Sequence, residues 1–269
     1  QTFQLSLKKM SFLLRFKALQ NRNILLLSGG LAVLFFGFNG VEYLLASFYS
    51  QFGLTSVALN SLIILYATML VGKFFAPALI KKMGLKNPIY LQCLTYAAFI
   101  FGVTTKNPLL IYTLAVFLGL TAPSSGISQT IYTRKACGKD ETYYGEANGI
   151  KDSIRAIGSS LGILITGWLS AFLAMQNIFI GLGFIILSSF FFFKALHPYK
   201  EEWQNNNFNS QKIFSFFSVL KNKNVLLLIP LSFTPVLMLG LALSLLPLLI
   251  TKNYGLPTTG IIMSIYTFV

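Results

Sequence analysis

The sequence predicts an all-α integral membrane protein, a bundle of long helices that cross a bilayer. Of its 269 residues, 55% are hydrophobic and only 10% are charged, too few to cover a soluble domain of this size with a polar surface. Apolar runs of the length that a bilayer requires, about 20 residues, recur along the chain. The 21 Lys and Arg residues lie mostly between these runs, so the net charge of +14 indicates membrane topology and not nucleic-acid binding.

Seven complete spans follow from these runs, and an eighth begins near Thr258. The predicted spans are 24–49, 57–80, 88–104, 109–133, 147–175, 178–196 and 225–251. Connections after the second, fourth and sixth spans carry clusters of Lys and Arg, whereas the other connections carry one Lys or none. The positive-inside rule therefore predicts a cytoplasmic N-terminus. The sequence does not identify the membrane: a plasma membrane or endomembrane is favoured, and an organellar inner membrane stays open.

Charge and hydropathy divide the chain into four segments. A basic amphipathic cytoplasmic segment (1–23) precedes a six-helix bundle (24–196), and a polar cytoplasmic linker (197–224) leads to the start of a second bundle (225–269). Within the linker, apolar side chains at helical spacing predict a short helix in the membrane interface: Ile213, Phe216, Phe217 and Leu220.

An internal repeat indicates how the two bundles are related. The heptapeptide NRNILLL, which begins at Asn21, recurs as NKNVLLL from Asn222, an offset of 222 − 21 = 201 residues. Six predicted spans lie between the copies, so both halves would have the same orientation, as in folds built from two parallel six-helix halves. We therefore expect the second bundle to be truncated at residue 269.

The loop between the second and third spans resembles the corresponding loop of the major facilitator superfamily. Lys82, Gly84 and Lys86 match its basic residues and its second glycine, while Pro77 and Lys81 replace its first glycine and its acid. The charge relay attributed to that loop is therefore in doubt here.

A closer resemblance is to the uncoordinated-ninety-three-like (ion channel regulatory protein) branch of that superfamily. It rests on residues 38–40, 55–59, 76–86, 118–123 with Gln129 and Tyr132, and 144–160. The chain departs from that branch at Gly126, where the branch usually has Trp, and at Glu42, where it usually has Gln. The resemblance implies a major-facilitator-type helical bundle, here the six-helix N-terminal half with the first one to two helices of the C-terminal half.

Glu42 is the only acidic residue well inside a predicted span. Burying a carboxylate in hydrocarbon is costly unless it is neutralised or paired, so Glu42 should face the interior of the bundle. We expect proton coupling or solute binding there, with a structural, hydrogen-bonded carboxyl as the alternative. Asn39, nearly one helical turn away, is a further candidate for coupling or solute binding.

The fourth span carries a stripe of polar side chains that includes Ser128, Gln129 and Tyr132. Ser124, Ser128 and Tyr132 are spaced by four residues and share one helix face. This stripe could line a central cavity for a polar solute, or it could mediate close packing between helices.

Two basic regions supply candidates for a cytoplasmic gate, with an ordinary interfacial charge cluster as the alternative. They are Lys81, Lys82, Gly84 and Lys86 in the loop after span two, and Asp152 and Arg155 at the start of span five. Asp152 can pair with Arg155 three residues later.

The sequence contains no phosphate-binding loop, nucleophile triad or metal-ligand cluster, so we predict no enzyme, no cofactor and no metal. Two functions stay open: secondary transport of a small solute, with or without proton coupling, and a non-transporting accessory or regulatory role. The resemblance implies the second, because members of that branch regulate potassium channels or escort receptors. The expected partners are the lipid bilayer and either a small solute or another membrane protein.

Overall fold

The structure, a computed structural model, describes residues 21–199 and 223–268. For residues 223–244 and 268 it describes the backbone alone. Every regular element in this part of the chain is an α-helix, as the sequence predicts. The described helices are α1 (Arg22–Ser50), α2 (Thr55–Met83), α3 (Asn87–Thr105), α4 (Pro108–Cys137), α5 (Glu141–Leu169), α6 (Met175–Lys194) and α7 (Lys223–Phe268).

Five of these helices, α1, α2, α3, α4 and α6, are long and apolar enough to cross a membrane. α5 is as long as α1, at 29 residues, but the first half of α5 is much more polar than its second half. That half carries the charged residues Glu141, Glu146, Lys151, Asp152 and Arg155. The described chain is therefore a multi-pass membrane protein in which the first half of one long helix carries five charged residues.

α1 is the central helix of the bundle. It contacts α2, α5, α6 and α7, while α4 packs against α2 and α3, and α3 packs against α6. Every residue from Gly40 to Tyr49 is buried, as expected for a helix surrounded by protein on all sides. We call the end where α1 begins, which carries Lys81, Lys82, Arg134 and Lys194, the basic end, and the other the opposite end.

Glycines let α5 approach α1 closely. A Cβ atom on Gly158 would lie 2.5 Å from the Ala32 carbonyl oxygen, and one on Gly162 would lie 2.0 Å from the Phe36 carbonyl oxygen. The equal spacing of these pairs shows that the two helices run parallel. Small residues on α5 therefore allow a close helix contact, as they commonly do inside membranes.

The side chain of Asn21 fixes the start of α1. Its oxygen accepts hydrogen bonds from the backbone N–H groups of Asn23 (3.1 Å) and Ile24 (3.4 Å), as in a helix N-cap. Its Nδ2 donates to the Ala136 carbonyl (3.1 Å) and to the Tyr143 hydroxyl (3.2 Å). The first residue of the repeat therefore joins α1 to the end of α4 and the start of α5.

α7 begins at Lys223 and α1 at Arg22, so the two helices begin 223 − 22 = 201 residues apart, at the same position of the repeat. α7 consists of two helical segments joined at Gly255, whose φ of 82° is left-handed. Glycine adopts this conformation at little cost. The break lies between the predicted end of span seven and the predicted start of span eight.

The predicted bounds of the fifth span are wrong. Span five was predicted at 147–175, but α5 runs from Glu141 to Leu169, and α6 already begins at Met175. Asp140 explains the early start of α5, because its carboxylate caps the helix by accepting a hydrogen bond from the Tyr143 N–H (3.0 Å). The interfacial helix predicted around Ile213 lies outside the described residues, and the division into four segments stays a prediction.

Candidate functional site

A cavity of about 340 Å³ lies inside the bundle, between α1, α2, α3, α4, α5 and the end of α7. The residues of α1 that line the cavity extend from Phe35, next to the middle of the helix, to Tyr43, which lies nearer the opposite end. Its volume falls in the range of small-molecule sites, about 300–1,000 Å³. The bundle therefore contains space for a small solute near the middle of its length.

Glu42 lines this cavity and is only 5% exposed, so it faces the interior as expected. Its Oε1 accepts a hydrogen bond of 2.6 Å from the Tyr66 hydroxyl of α2. Among the described residues, Glu42 makes no ion pair. A carboxyl inside a membrane bundle with a neutral partner is a candidate for function.

Sequence reasoning missed Tyr66, as well as Tyr43 and Tyr96, which also line the cavity. Each of these tyrosines lies within an apolar run. Because a buried phenol usually needs a hydrogen-bond partner, a tyrosine in such a run is a signal that could have pointed to a polar neighbour. The sequence alone could not show that Tyr66 and Glu42 meet.

Asn39 and Ser159 join α1 to α5 at the wall of the cavity, which both residues line. The Asn39 Nδ2 donates a hydrogen bond of 2.5 Å to the Ser159 Oγ. Ser159 follows Gly158 directly, so the bond lies where the helices approach most closely. This part of the wall is therefore sensitive to the spacing between α1 and α5.

Arg155 does not lie at the basic end, where it was expected. It is the middle residue of α5 and lines the cavity, because α5 begins earlier than predicted. Its Nη2 lies 3.6 Å from the Asp152 Oδ1, and its guanidinium carbon lies 5.2 Å from the centre of the Phe35 ring. The buried Lys151 Nζ also lies 3.9 Å from Asp152, so Asp152 compensates two cations.

Gln129 does not line the cavity. Its Nε2 donates hydrogen bonds to the Gln92 Oε1 of α3 (2.9 Å) and to the Ser125 Oγ (3.0 Å), and the Ser125 hydroxyl donates to the same Gln92 oxygen. All three side chains are buried. They form a hydrogen-bonded network between α3 and α4, which agrees with the packing alternative for the polar stripe.

Ser128 and Tyr132 also lie away from the cavity lining. The buried Ser128 hydroxyl has no hydrogen-bond partner within the described part of the chain. The Tyr132 hydroxyl donates to the His197 carbonyl (2.9 Å), beyond the basic end of α6. The structure therefore brings Glu42, Asn39 and Arg155 together and leaves the α4 stripe apart.

The candidate gate residues of the loop after α2 lie at the basic end. Lys81 and Lys82 are in the last turn of α2, where positive charge complements the helix dipole. Gly84 follows with a left-handed φ of 83°. The Lys86 Nζ donates to the carbonyl of Leu196 (2.6 Å) after α6, so the loop is held against α6, and its gating role stays a prediction.

No protein-family model matches the chain. Over 112 residues, the chain is 34% identical to Protein unc-93 homolog A of Homo sapiens, 34% identical to that of Bos taurus and 33% identical to that of Mus musculus. The match covers 41% of this chain, and the chain spans 24% of the length of these relatives.

This similarity and the membrane-spanning helices agree with the resemblance found in the sequence. The chain is a multi-pass membrane protein homologous to unc-93 homolog A, which confirms its likeness to the uncoordinated-ninety-three-like branch.

Proposed function

We propose that the protein is a secondary transporter for a small solute, which binds in the cavity beside Glu42. The observation that carries the proposal is the chamber itself, in which a carboxyl and a phenol share a hydrogen bond at the wall of a solute-sized space. A carboxyl is costly inside a membrane. Placing it against open space is useful when a solute or a proton must reach it.

Glu42 is the proposed coupling residue of this transporter. The groups that face it are Tyr43 on its own helix, Tyr66 on α2 and Tyr96 on α3, with Arg155 of α5 as the other charged residue in the lining. A proton on Glu42 would change the charge of the chamber in which the solute binds. Solute and proton binding would then be linked through this carboxyl.

The contacts between α7 and the first six helices support a gated path to the cavity. The Thr251 Oγ1 donates a hydrogen bond of 2.8 Å to the Ser47 Oγ, one helical turn beyond Tyr43 toward the opposite end. Gly167 of α5 lies against Gly260 of α7. Separation of α7 at these contacts would open the cavity toward the opposite end, which the positive-inside rule places away from the cytoplasm.

Uptake by the full-length protein in proteoliposomes tests the proposal. The probes are radiolabelled phenethylamine, phenylalanine, phenylacetate and glucose, with protein-free liposomes as the blank. We expect at least one probe to accumulate, and an imposed pH gradient to change its initial rate in the wild type but not in Glu42→Gln. Glu141→Gln, which changes an exposed carboxylate, is the matched control and should behave as the wild type. Absence of uptake for all four probes would refute transport.

A non-transporting accessory or regulatory subunit is the second candidate, and one observation favours it. The α4 polar stripe forms helix contacts instead of lining the cavity, so it does not supply the polar surface expected along a solute path. Crosslinking and co-purification of the full-length protein in mild detergent test this role. A second membrane protein in fixed proportion, together with no uptake, would replace the transport proposal.

A further inference from the structure

The two charged groups of the cavity differ in how they are compensated. Arg155 lies near the Asp152 carboxylate and over the Phe35 ring. Glu42 has the Tyr66 hydroxyl as its hydrogen-bond donor and makes no ion pair with any described residue. The cavity therefore contains an uncompensated acid, and a ligand cation would supply the missing partner.

Aromatic rings surround the part of the cavity that contains this acid. Phe38, Tyr43, Tyr66 and Tyr96 line it together with Glu42, and the Phe38 and Tyr96 rings lie 4.3 Å apart between centres. Ring faces attract ammonium groups through the ring quadrupole. A carboxylate beside several such rings favours a cation and offers little to an anion.

The position of Arg155 indicates how a bound cation would be oriented in this cavity. Its guanidinium lies over Phe35, which is seven residues before Glu42 on α1 and therefore about 10 Å nearer the basic end. A ligand cation is repelled at the Arg155 end and attracted at the Glu42 end. The apolar side chains of Leu65, Met69 and Leu118, which also line the cavity, suit an uncharged ligand body.

We propose that the cavity binds a small organic cation, with its ammonium beside Glu42 and its neutral body directed toward Phe35. This inference deepens the proposed function, on which it rests, by naming the class of solute.

Equilibrium binding to the purified full-length protein in detergent tests the inference without requiring transport. The probes are phenethylamine, phenethyl alcohol and phenylacetate, which are similar in size and carry a positive, a zero and a negative charge at neutral pH. We expect phenethylamine to bind at least about tenfold more tightly than the other two. Glu42→Gln should remove this preference, and Glu141→Gln should keep it.

Equal or tighter binding of the alcohol or the acid, or no binding of any probe, would overturn the inference. The comparison among probes uses the wild type, so it remains decisive even where Glu42→Gln does not fold. If phenethylamine binds but is not taken up by proteoliposomes, the cation site stands and transport fails. If phenylacetate or glucose is taken up and phenethylamine is not, transport stands and the cation site fails.

Discussion

Replacing Gly162 by Ala adds one methyl group where α5 meets α1 most closely. That methyl would lie 2.0 Å from the Phe36 carbonyl oxygen, whereas ordinary contacts begin at 3.4 Å. Relief of the clash requires a movement of 3.4 − 2.0 = 1.4 Å between the two helices. Backbone atoms cannot rotate away, so the helices themselves must separate.

This separation would disturb the cavity wall as well as the helix contact. A separation of this size would stretch or break the hydrogen bond from Asn39 to Ser159, which joins the same two helices beside Gly158. Overpacking costs about 1–3 kcal/mol, and a lost interhelical hydrogen bond in a membrane costs about 0.6 kcal/mol. Alanine's higher helix propensity returns up to about 1 kcal/mol, so we expect Gly162→Ala to lower the free energy of unfolding by about 1–3 kcal/mol.

Unfolding in mixed micelles of mild detergent and sodium dodecyl sulfate measures this change. Gly149→Ala in the same helix is the matched control, because its added methyl meets no atom within 4 Å. The control should gain up to about 1 kcal/mol from the higher helix propensity of alanine. If both variants changed stability by the same amount and sign, the close contact of α1 and α5 would be refuted.

Three further changes test other parts of the account. Gln129→Leu leaves Gln92 and Ser125 without their shared amide, so stability in mixed micelles should fall by about 1–2 kcal/mol, while phenethylamine affinity stays unchanged. A change in affinity with unchanged stability would contradict a packing role. Asn21→Ala removes the cap of α1, which should cost about 1–2 kcal/mol and speed hydrogen exchange in the first turn of that helix; unchanged exchange there would argue against the cap. Gly255→Ala places a Cβ at a φ of 82° and should cost about 1–2 kcal/mol, so a variant as thermally stable as the wild type would contradict the left-handed break in α7.

Much of the fold could be predicted because a bilayer restricts both the length and the polarity of the helices that cross it. The first four helices lie within a few residues of their predicted spans. The fifth differs because a helix can continue beyond its apolar run into charged residues, as α5 does from Asp140 onward. Asp140, which caps α5, was visible in the sequence, but a helix boundary drawn from hydropathy alone does not take a capping residue into account.

The candidate site was predictable only in part. Glu42 stood out because an acid in a span is rare and costly, and Asn39 lies nearly one turn before it. Tyr66 could not be paired with Glu42, since their contact depends on how α2 is rotated and shifted against α1. The same kind of rotation decides whether Gln129 faces a cavity or a neighbouring helix, and the spacing of its stripe fits both outcomes.

The measurement that tests the central claim most directly is solute protection of a cysteine placed in the cavity. Met69 lines the cavity on α2, so the variant is Met69→Cys in a protein whose buried Cys93 and Cys137 are replaced by Ala. We predict that aminoethyl methanethiosulfonate labels this cysteine, that phenethylamine slows the labelling, and that Glu42→Gln removes the protection. A cysteine that reacts at the same rate with and without phenethylamine would contradict a solute site at Glu42.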